Sequence, residues 1–420
     1  MARNRTVSER RIDNEEDKEA SFKYLFFTFL KLGSLSFGGF MALISVIQDQ
    51  LVDKDKIIES ETVLDGISLA SILPGPIAVN VVTFIGYKLK GLSGAIISMI
   101  AIVIPSFLLL CILSFVYFQF GSLPTFDRVF NGIMPAVCAI ILAVAFNLSR
   151  KNIQDYKQIL IAVASGLILL IIGGFLSTFI IILVGGLLGA FLYHKLYSED
   201  STVIENRKTL PSSRIIMGFL IPLLLVIVVL VVLIVVIPIF LPEEGFSTLK
   251  KLRSIVLTFS GLSVTLFGGG YVVIPAMHEI FVDNLEWLSS KEFADGIALG
   301  QVTPGPIYIS AAFIGYKILG FWGALIATVS VFLPAGLIMI ISSKFLNFFK
   351  NSSLVKAVFK GLRPAVIGMI FSAAVTIGKG IDLNWLSVVI FLLVLVLSVR
   401  FKVNVVYLIP ASGIIGLLLL

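Results

Sequence analysis

The sequence is poor in charge: Asp, Glu, Lys and Arg make up 14% of its 420 residues. A soluble domain carries about 25%, and a hydrophobic share of 58% completes the case against a water-soluble fold. Cysteine and histidine are scarce, with two of each. Cys111 and Cys138 lie inside apolar runs, which suits packing better than a disulfide or a metal. His194 and His278 stand too far apart for a local metal motif, so neither a metal nor a cofactor is expected. No Gly-x-x-x-x-Gly-Lys-Ser/Thr loop is present, so nothing points to ATP as the energy source. Residues 1–20 lack the apolar stretch and small-residue cleavage pattern of a secretory signal, and read as a retained cytoplasmic tail. The net charge of +7 does not indicate nucleic acid, because the basic residues cluster at the ends of apolar runs, as membrane topology requires.

What fills the sequence is apolar runs long enough to cross a bilayer, which takes about 20 helical residues, and the mean hydropathy is +1.05. The runs repeat. Phe37-Gly38-Gly39 recurs as Phe267-Gly268-Gly269, Asp65-Gly66-Ile67 as Asp295-Gly296-Ile297, and Pro74-Gly75-Pro76 as Pro304-Gly305-Pro306, all 230 residues apart. After the loss of one residue, Phe84-Ile85-Gly86-Tyr87-Lys88 aligns with Phe313-Ile314-Gly315-Tyr316-Lys317. The same register pairs Gly91, Pro105, Gly132 and Pro135 with Gly320, Pro334, Gly361 and Pro364. Breakers in one order twice over identify a duplication. The chain divides into a tail (1–21), a first repeat (22–196), a linker with an unpaired apolar segment (197–241) and a second repeat (242–420). Six apolar segments per repeat plus the linking one give about 13 membrane segments.

An odd connecting segment turns the second repeat upside down, and the loop charges agree. Lys88, Lys90, Arg150, Lys151 and Lys157 mark one set of loops in the first repeat. Lys344, Lys350, Lys356, Arg400 and Lys402 mark the other set in the second. Positive loops face the cytoplasm. The expected fold is therefore an all-α polytopic protein of a cell membrane, with two antiparallel halves, a cytoplasmic N-terminus and an external C-terminus. Lys250, Lys251 and Arg253 fall on the outer side in this scheme.

Inverted repeats with broken helices at matched positions mark secondary transporters. Each Pro-Gly-Pro removes backbone donors and permits a sharp excursion. Backbone freed in this way must face protein or a watery cavity. With Pro76 as first residue of the second arm, the N–H groups near Ile77 to Asn80 would form an anion site. Pro304-Gly305-Pro306 repeats the device, and Phe37-Gly38-Gly39 and Phe267-Gly268-Gly269-Gly270 add a second pair of breaks. Lys31 lies seven residues before Gly38 and would share its face of a continuous helix. Asp65 and Asp295 precede the Pro-Gly-Pro breaks, where they either relay an ion or serve structure. Gln301, Thr303, Ser71 and Ser310 offer neutral polar groups beside them, as does Asn80.

These residues make the chain resemble the chromate ion transporter family. The resemblance rests on Gly268-Gly269-Gly270-Tyr271-Val272-Val273-Ile274-Pro275, Gln301-Val302-Thr303-Pro304-Gly305-Pro306 and Pro74-Gly75-Pro76-Ile77-Ala78-Val79-Asn80. The first repeat departs from the family pattern at Phe40, Leu43 and Ser71, which bears on substrate more than on fold. The resemblance implies export of chromate, a tetrahedral dianion resembling sulfate, driven by an ion gradient. The partners it implies are the oxyanion and the lipid bilayer, and the chain is compatible with a homodimer. Two other readings stay open: an uncoupled channel or carrier for another anion, and a membrane-embedded enzyme, for which no catalytic constellation is visible.

Overall fold

A computed structural model describes residues 20–36, 40–120, 124–173, 175–199, 246–265, 273–344, 352–379, 381 and 384–419. Both Phe-Gly-Gly motifs and the linking apolar segment lie outside the described residues, and all the described regular structure is helical. The first repeat contributes α1 (Phe22–Leu35), α2 (Phe40–Ile47, continued by π-helical turns Gln48–Lys54), α3 (Ser60–Ala70), α4 (Ile77–Phe120), α5 (Pro124–Asn152), α6 (Tyr156–Ile171) and α7 (Phe175–Glu199). The second contributes α8 (Phe246–Thr265), α9 (Val273–His278, continued by Glu279–Asn284), α10 (Ser290–Val302), α11 (a 3₁₀ turn Ile307–Ile309 leading into Ser310–Ser343), α12 (Ser353–Gly378), α13 (Trp385–Val399) and α14 (Val405–Leu419).

Several helices start where short polar side chains cap the first turn. The Ser21, Asp155, Ser352 and Asn384 side chains accept from Tyr24, Gln158, Val355 and Ser387 N–H respectively. Ser289 and Glu292 form a reciprocal capping box on α10, satisfying two otherwise orphaned donors.

The segments read as single crossings fold back on themselves. In a straight helix residues 66 and 84 would be about 27 Å apart, yet a Cβ on Gly66 would lie 2.9 Å from Phe84 Cδ1 and 3.5 Å from Val81 Cγ1. In the second repeat a Cβ on Gly300 would lie 3.7 Å from Ser310 N. The two arms at each Pro-Gly-Pro therefore run antiparallel as a helical hairpin with the break at its tip. A second hairpin precedes each: the Tyr24 hydroxyl donates to the Asp55 carboxylate, and Phe259 stacks on Phe281 with centroids 4.8 Å apart. The first contact joins the start of α1 to the residue after the α2 extension, and the second joins α8 to the α9 extension.

α4 and α11 are also folded. Lys90-Gly91 and Leu319-Gly320 leave helical geometry with nearly the same angles, φ 60° and ψ −150° at Gly91 against φ 59° and ψ −146° at Gly320. This region is essentially reserved for glycine. The chain reverses there, so a Cβ on Gly86 would lie 2.8 Å from Ser98 Cβ, and one on Gly315 would lie 2.8 Å from Ala327 Cβ. We call the arms α4a (77–89) and α4b (92–120), and α11a (307–318) and α11b (321–343). Four described helices are long and apolar enough to cross a membrane: Ile77–Phe120, Asp127–Asn152, Ile307–Ser343 and Ser353–Gly378. In two of these, the b arm supplies the length. Four shorter apolar helices accompany them, so the described residues do not give the expected count of about 13.

The repeats interlock reciprocally. α12 lies against α6 and α7, where a Cβ on Gly189 would lie 2.6 Å from Gly361 N and one on Gly368 would lie 2.9 Å from Gly166 N. In the same way α5 lies against α14, where a Cβ on Gly132 would lie 2.8 Å from Gly416 Cα. Small residues let helix backbones approach closely where lipid provides no hydrophobic drive. α4b and α11b run antiparallel across the centre: Phe107 meets Phe321 with centroids 5.8 Å apart, while Met99 Cε would lie 3.7 Å from a Cβ on Gly336. α5 and α12 are antiparallel too, since Cys138 Sγ reaches Ala374 O at 3.2 Å while Lys360 Nζ donates to Gln154.

A Cβ at Gly91 or Gly320 would meet nothing within 4 Å, so substitution there tests backbone conformation alone. Gly91→Ala and Gly320→Ala should each lower stability by about 1–3 kcal/mol, read as a loss of thermal stability in detergent. Unchanged melting in both would show that neither reversal needs its glycine.

Candidate functional site

The tips of the hairpins meet the proline-bearing stretches of α4b and α11b in the opposite repeat. Pro105 interrupts α4b and Pro334 interrupts α11b. The residue after each proline receives the other repeat's break. The Ser106 hydroxyl donates to Pro304 O across the two repeats, and a Cβ on Gly305 would overlap Ser106 Oγ. Correspondingly, a Cβ on Gly75 would overlap Ala335 Cβ and lie 3.6 Å from Ser263 O. Gly75 itself has φ +95°, a left-handed conformation open to glycine. Beyond Pro334, the Ala335 N–H is bonded to Ser263 Oγ at 3.2 Å.

Between these contacts lies a small cavity lined by Gly33, Ser36, Leu43, Ala78, Val79 and Ile102 from the first repeat and by Pro304, Gly305 and Pro306 from the second. Its volume of about 10 Å³ holds roughly one water, so the site is closed in this conformation. Among the described residues, no lysine or arginine lines it. Ala78 and Val79 sit in the first turn of α4a, whose N–H groups have no carbonyl one turn back. Neighbouring carbonyls are occupied. Asn80 Nδ2 donates to Pro74 O at 3.1 Å, Ser71 Oγ to Ile67 O at 2.7 Å, Thr303 Oγ1 to Gly300 O at 2.8 Å, and Ser106 to Pro304 O. A helix N-terminus carries roughly half a positive charge.

Buried polar atoms without a hydrogen-bond partner stand on the second arms: Asn80 Oδ1, the Tyr308 hydroxyl and Ser310 Oγ. An unpaired buried polar group costs about 1–3 kcal/mol, a cost that buried water commonly relieves.

The structure treats the remaining expected residues unequally. Thr303 is buried at the second tip, and Gln301 is half-buried beside it. Lys31 is on the exposed face of α1, two residues from buried Gly33. α1 ends at Leu35, before Gly38, so the seven-residue register expected to align Lys31 with the break does not hold. Phe37, Gly38, Gly39, Phe267, Gly268, Gly269 and Gly270 lie outside the described residues. Asp65 is half-buried, whereas Asp295 has no exposed surface. Asp295 Oδ2 accepts from the Tyr117 hydroxyl of α4b at 2.7 Å, and its Oδ1 is buried without a partner. Tyr117 packs edge-on against Phe130 and Phe313. Ion pairs of Lys291 with Asp127 and of Lys317 with Glu292 lie nearby. Sequence reasoning passed over Ser106, Ala335, Tyr117 and Tyr308. The first two follow the repeat-aligned prolines Pro105 and Pro334, and that alignment was the available signal.

The chromate transporter family matches residues 23–190 and 253–417. The chain is 29% identical to an uncharacterised transporter of Methanocaldococcus jannaschii over 407 residues, covering 97% of this chain and 96% of that one. It is 29% identical to a chromate transport protein of Pseudomonas aeruginosa over 406 residues, 94% and 92% of the two chains. A chromate transport protein of Cupriavidus metallidurans is 26% identical over 388 residues, 91% and 89%. No solved structure matches.

The two tips should respond differently to a methyl group. Gly305→Ala meets only Ser106, so Ser106→Gly should recover most of its overpacking cost of about 1–3 kcal/mol in a double-mutant cycle. Gly75→Ala combined with Ala335→Gly should keep a residual cost of about 1–2 kcal/mol, because the left-handed backbone persists. Equal recovery at both tips in denaturation measurements would contradict this geometry.

Proposed function

Since the chain belongs to the chromate transporter family, we propose that it is a multi-pass secondary active carrier exporting chromate or a similar oxyanion across a cell membrane. The observation that carries the reading is the cavity between the α4a N-terminus and the Pro304-Gly305-Pro306 tip. It combines the first turn of α4a, capped carbonyls and, among the described residues, no basic side chain. Phe37-Gly38-Gly39 and Phe267-Gly268-Gly269-Gly270 belong to the same site in this proposal, on the recurrence of the motif in the sequence.

The two repeats, 22–196 and 242–420, are inverted in this reading. Its support is the antiparallel packing of the equivalent helices α4b and α11b. For two crossing helices, this requires a two-fold axis in the membrane plane. The hairpins then enter and leave on one side, which removes four of the twelve repeat segments from the crossing count. With that count, Lys88, Lys90, Arg150, Lys151, Lys344, Lys356, Arg400 and Lys402 share one side, taken as cytoplasmic together with the N-terminus. The C-terminus is then outside.

Alternation follows from the same geometry. Access from one side requires one repeat's hairpin tips to withdraw, and access from the other side requires its partner's to do so. The two α-helical crossings that hold the tips, α4b and α11b, tie these movements together through Ser106 and Ala335. Asp295 is the coupling residue in this scheme: a charge buried in a membrane is costly and marks an ion pathway. Its contact with Tyr117 lets its ionisation state be sensed in the other repeat. Half-buried Asp65 has the weaker claim.

Proteoliposomes loaded with radiolabelled chromate or sulfate test the proposal under imposed proton or sodium gradients. The protein should move chromate uphill under one gradient, and neutral solutes should not move. Asp295→Asn should abolish uphill movement at least tenfold while downhill exchange persists, and Asp65→Asn should leave both intact. Downhill movement alone in the unmodified protein would identify an uncoupled channel or carrier, and no oxyanion flux would end the transport reading.

A further inference from the structure

We infer that the chain has one oxyanion site rather than two, because Tyr308 fills the place in the second repeat that the cavity occupies in the first. This rests on the reading of that cavity as the oxyanion site. The duplication supplies a counterpart for each wall. Gly33 corresponds to Ser263, Ala78 to Tyr308, Val79 to Ile309 and Ile102 to Val331, facing Pro74-Gly75-Pro76 in place of Pro304-Gly305-Pro306.

The counterparts hold corresponding positions. Gly33 lines the cavity beside the second repeat's tip, and Ser263 O lies 3.6 Å from a Cβ on Gly75 at the first repeat's tip. Each tip abuts the residue after the opposite repeat's helix proline, Ser106 in one case and Ala335 in the other. A twin cavity would therefore open beside Gly75, walled by Ser263 and by position 308. There the wall is not a methyl group but a phenol. Tyr308 is 1% exposed and among the largest fully buried side chains of the protein. A cavity of about 10 Å³ has no room for such a ring, so an alanine at this position is a condition for a site. Ser263 adds to the closure, since its hydroxyl is engaged by Ala335 N–H where Gly33 has no side chain.

The repeats then have different tasks. The first supplies the donors of α4a and the second supplies the tip that closes over them. The second repeat's own arm is packed solid and moves the tip without holding an anion.

Equilibrium binding of radiolabelled chromate to the purified full-length chain tests the inference. One equivalent per chain is expected, with competition by sulfate. Ala78→Tyr should lower affinity at least tenfold while melting stays within a few degrees, and Ala78→Val, a smaller insult, should give an intermediate loss. Tyr308→Phe should bind one equivalent with unchanged affinity, because the ring and not its hydroxyl does the filling. Folded Tyr308→Ala should bind more than one equivalent. Two equivalents in the unmodified chain, full affinity in folded Ala78→Val and Ala78→Tyr, one equivalent in folded Tyr308→Ala, or lost binding in Tyr308→Phe would each overturn the single site while leaving oxyanion binding established. No binding by the unmodified chain would remove the oxyanion reading, and the single site with it.

Discussion

Backbone that leaves helical geometry inside a membrane must be covered by protein or water, and this constraint organises the molecule. Each repeat has a Pro-Gly-Pro break that cannot be presented to lipid. Each break is covered by the other repeat, at the residue following that repeat's own helix proline: Ser106 covers Gly305 and Ala335 covers Gly75. The residues after the helix prolines and the Pro-Gly-Pro tips are thus matched parts. Neither repeat could bury its break alone, which explains why the halves interlock through glycine contacts such as Gly361 with Gly189 and Gly132 with Gly416.

The same coverage underlies the proposed anion site. Bringing a helix N-terminus to a buried tip concentrates positive potential there, and capping the neighbouring carbonyls with Asn80, Ser71, Thr303 and Ser106 keeps that potential from being cancelled. Fixed backbone dipoles suit a carrier better than a lysine does. They attract an anion moderately without the strong, localised attraction of a full charge, so the anion can leave again. Duplication supplied the frame, and divergence at Ala78 and Tyr308 made its two ends unequal.

Much of this was legible in the sequence. The order of breakers identified the duplication, and Pro-Gly-Pro identified the sharpest backbone interruption, because both depend on residues with few conformational alternatives. The loop charges pointed to opposed halves. Hydropathy could not separate a segment that crosses from one that returns: 62–90 is apolar on either path, and only the contact of Gly66 with Phe84 distinguishes them. Gly91 and Gly320 were legible as a repeat-aligned pair between apolar segments, and the chain reverses at both. The Lys31 expectation failed because it assumed a helix running through Gly38, whereas α1 ends at Leu35. Contacts such as Ser106 with Pro304 and Tyr117 with Asp295 join residues nearly 200 positions apart, and no local pattern announces them.

The claim on which the account depends is that the two repeats enter the membrane from opposite sides, so that their tips meet and cover each other. Ser122 and Ser352 occupy corresponding loops of the two repeats, after α4b and α11b. Single cysteines at these positions, in a background with Cys111 and Cys138 replaced, can be labelled in intact cells by a membrane-impermeant maleimide. The account predicts that Ser122→Cys is modified from outside and Ser352→Cys only after the membrane is opened. Modification of both from the same side would contradict it.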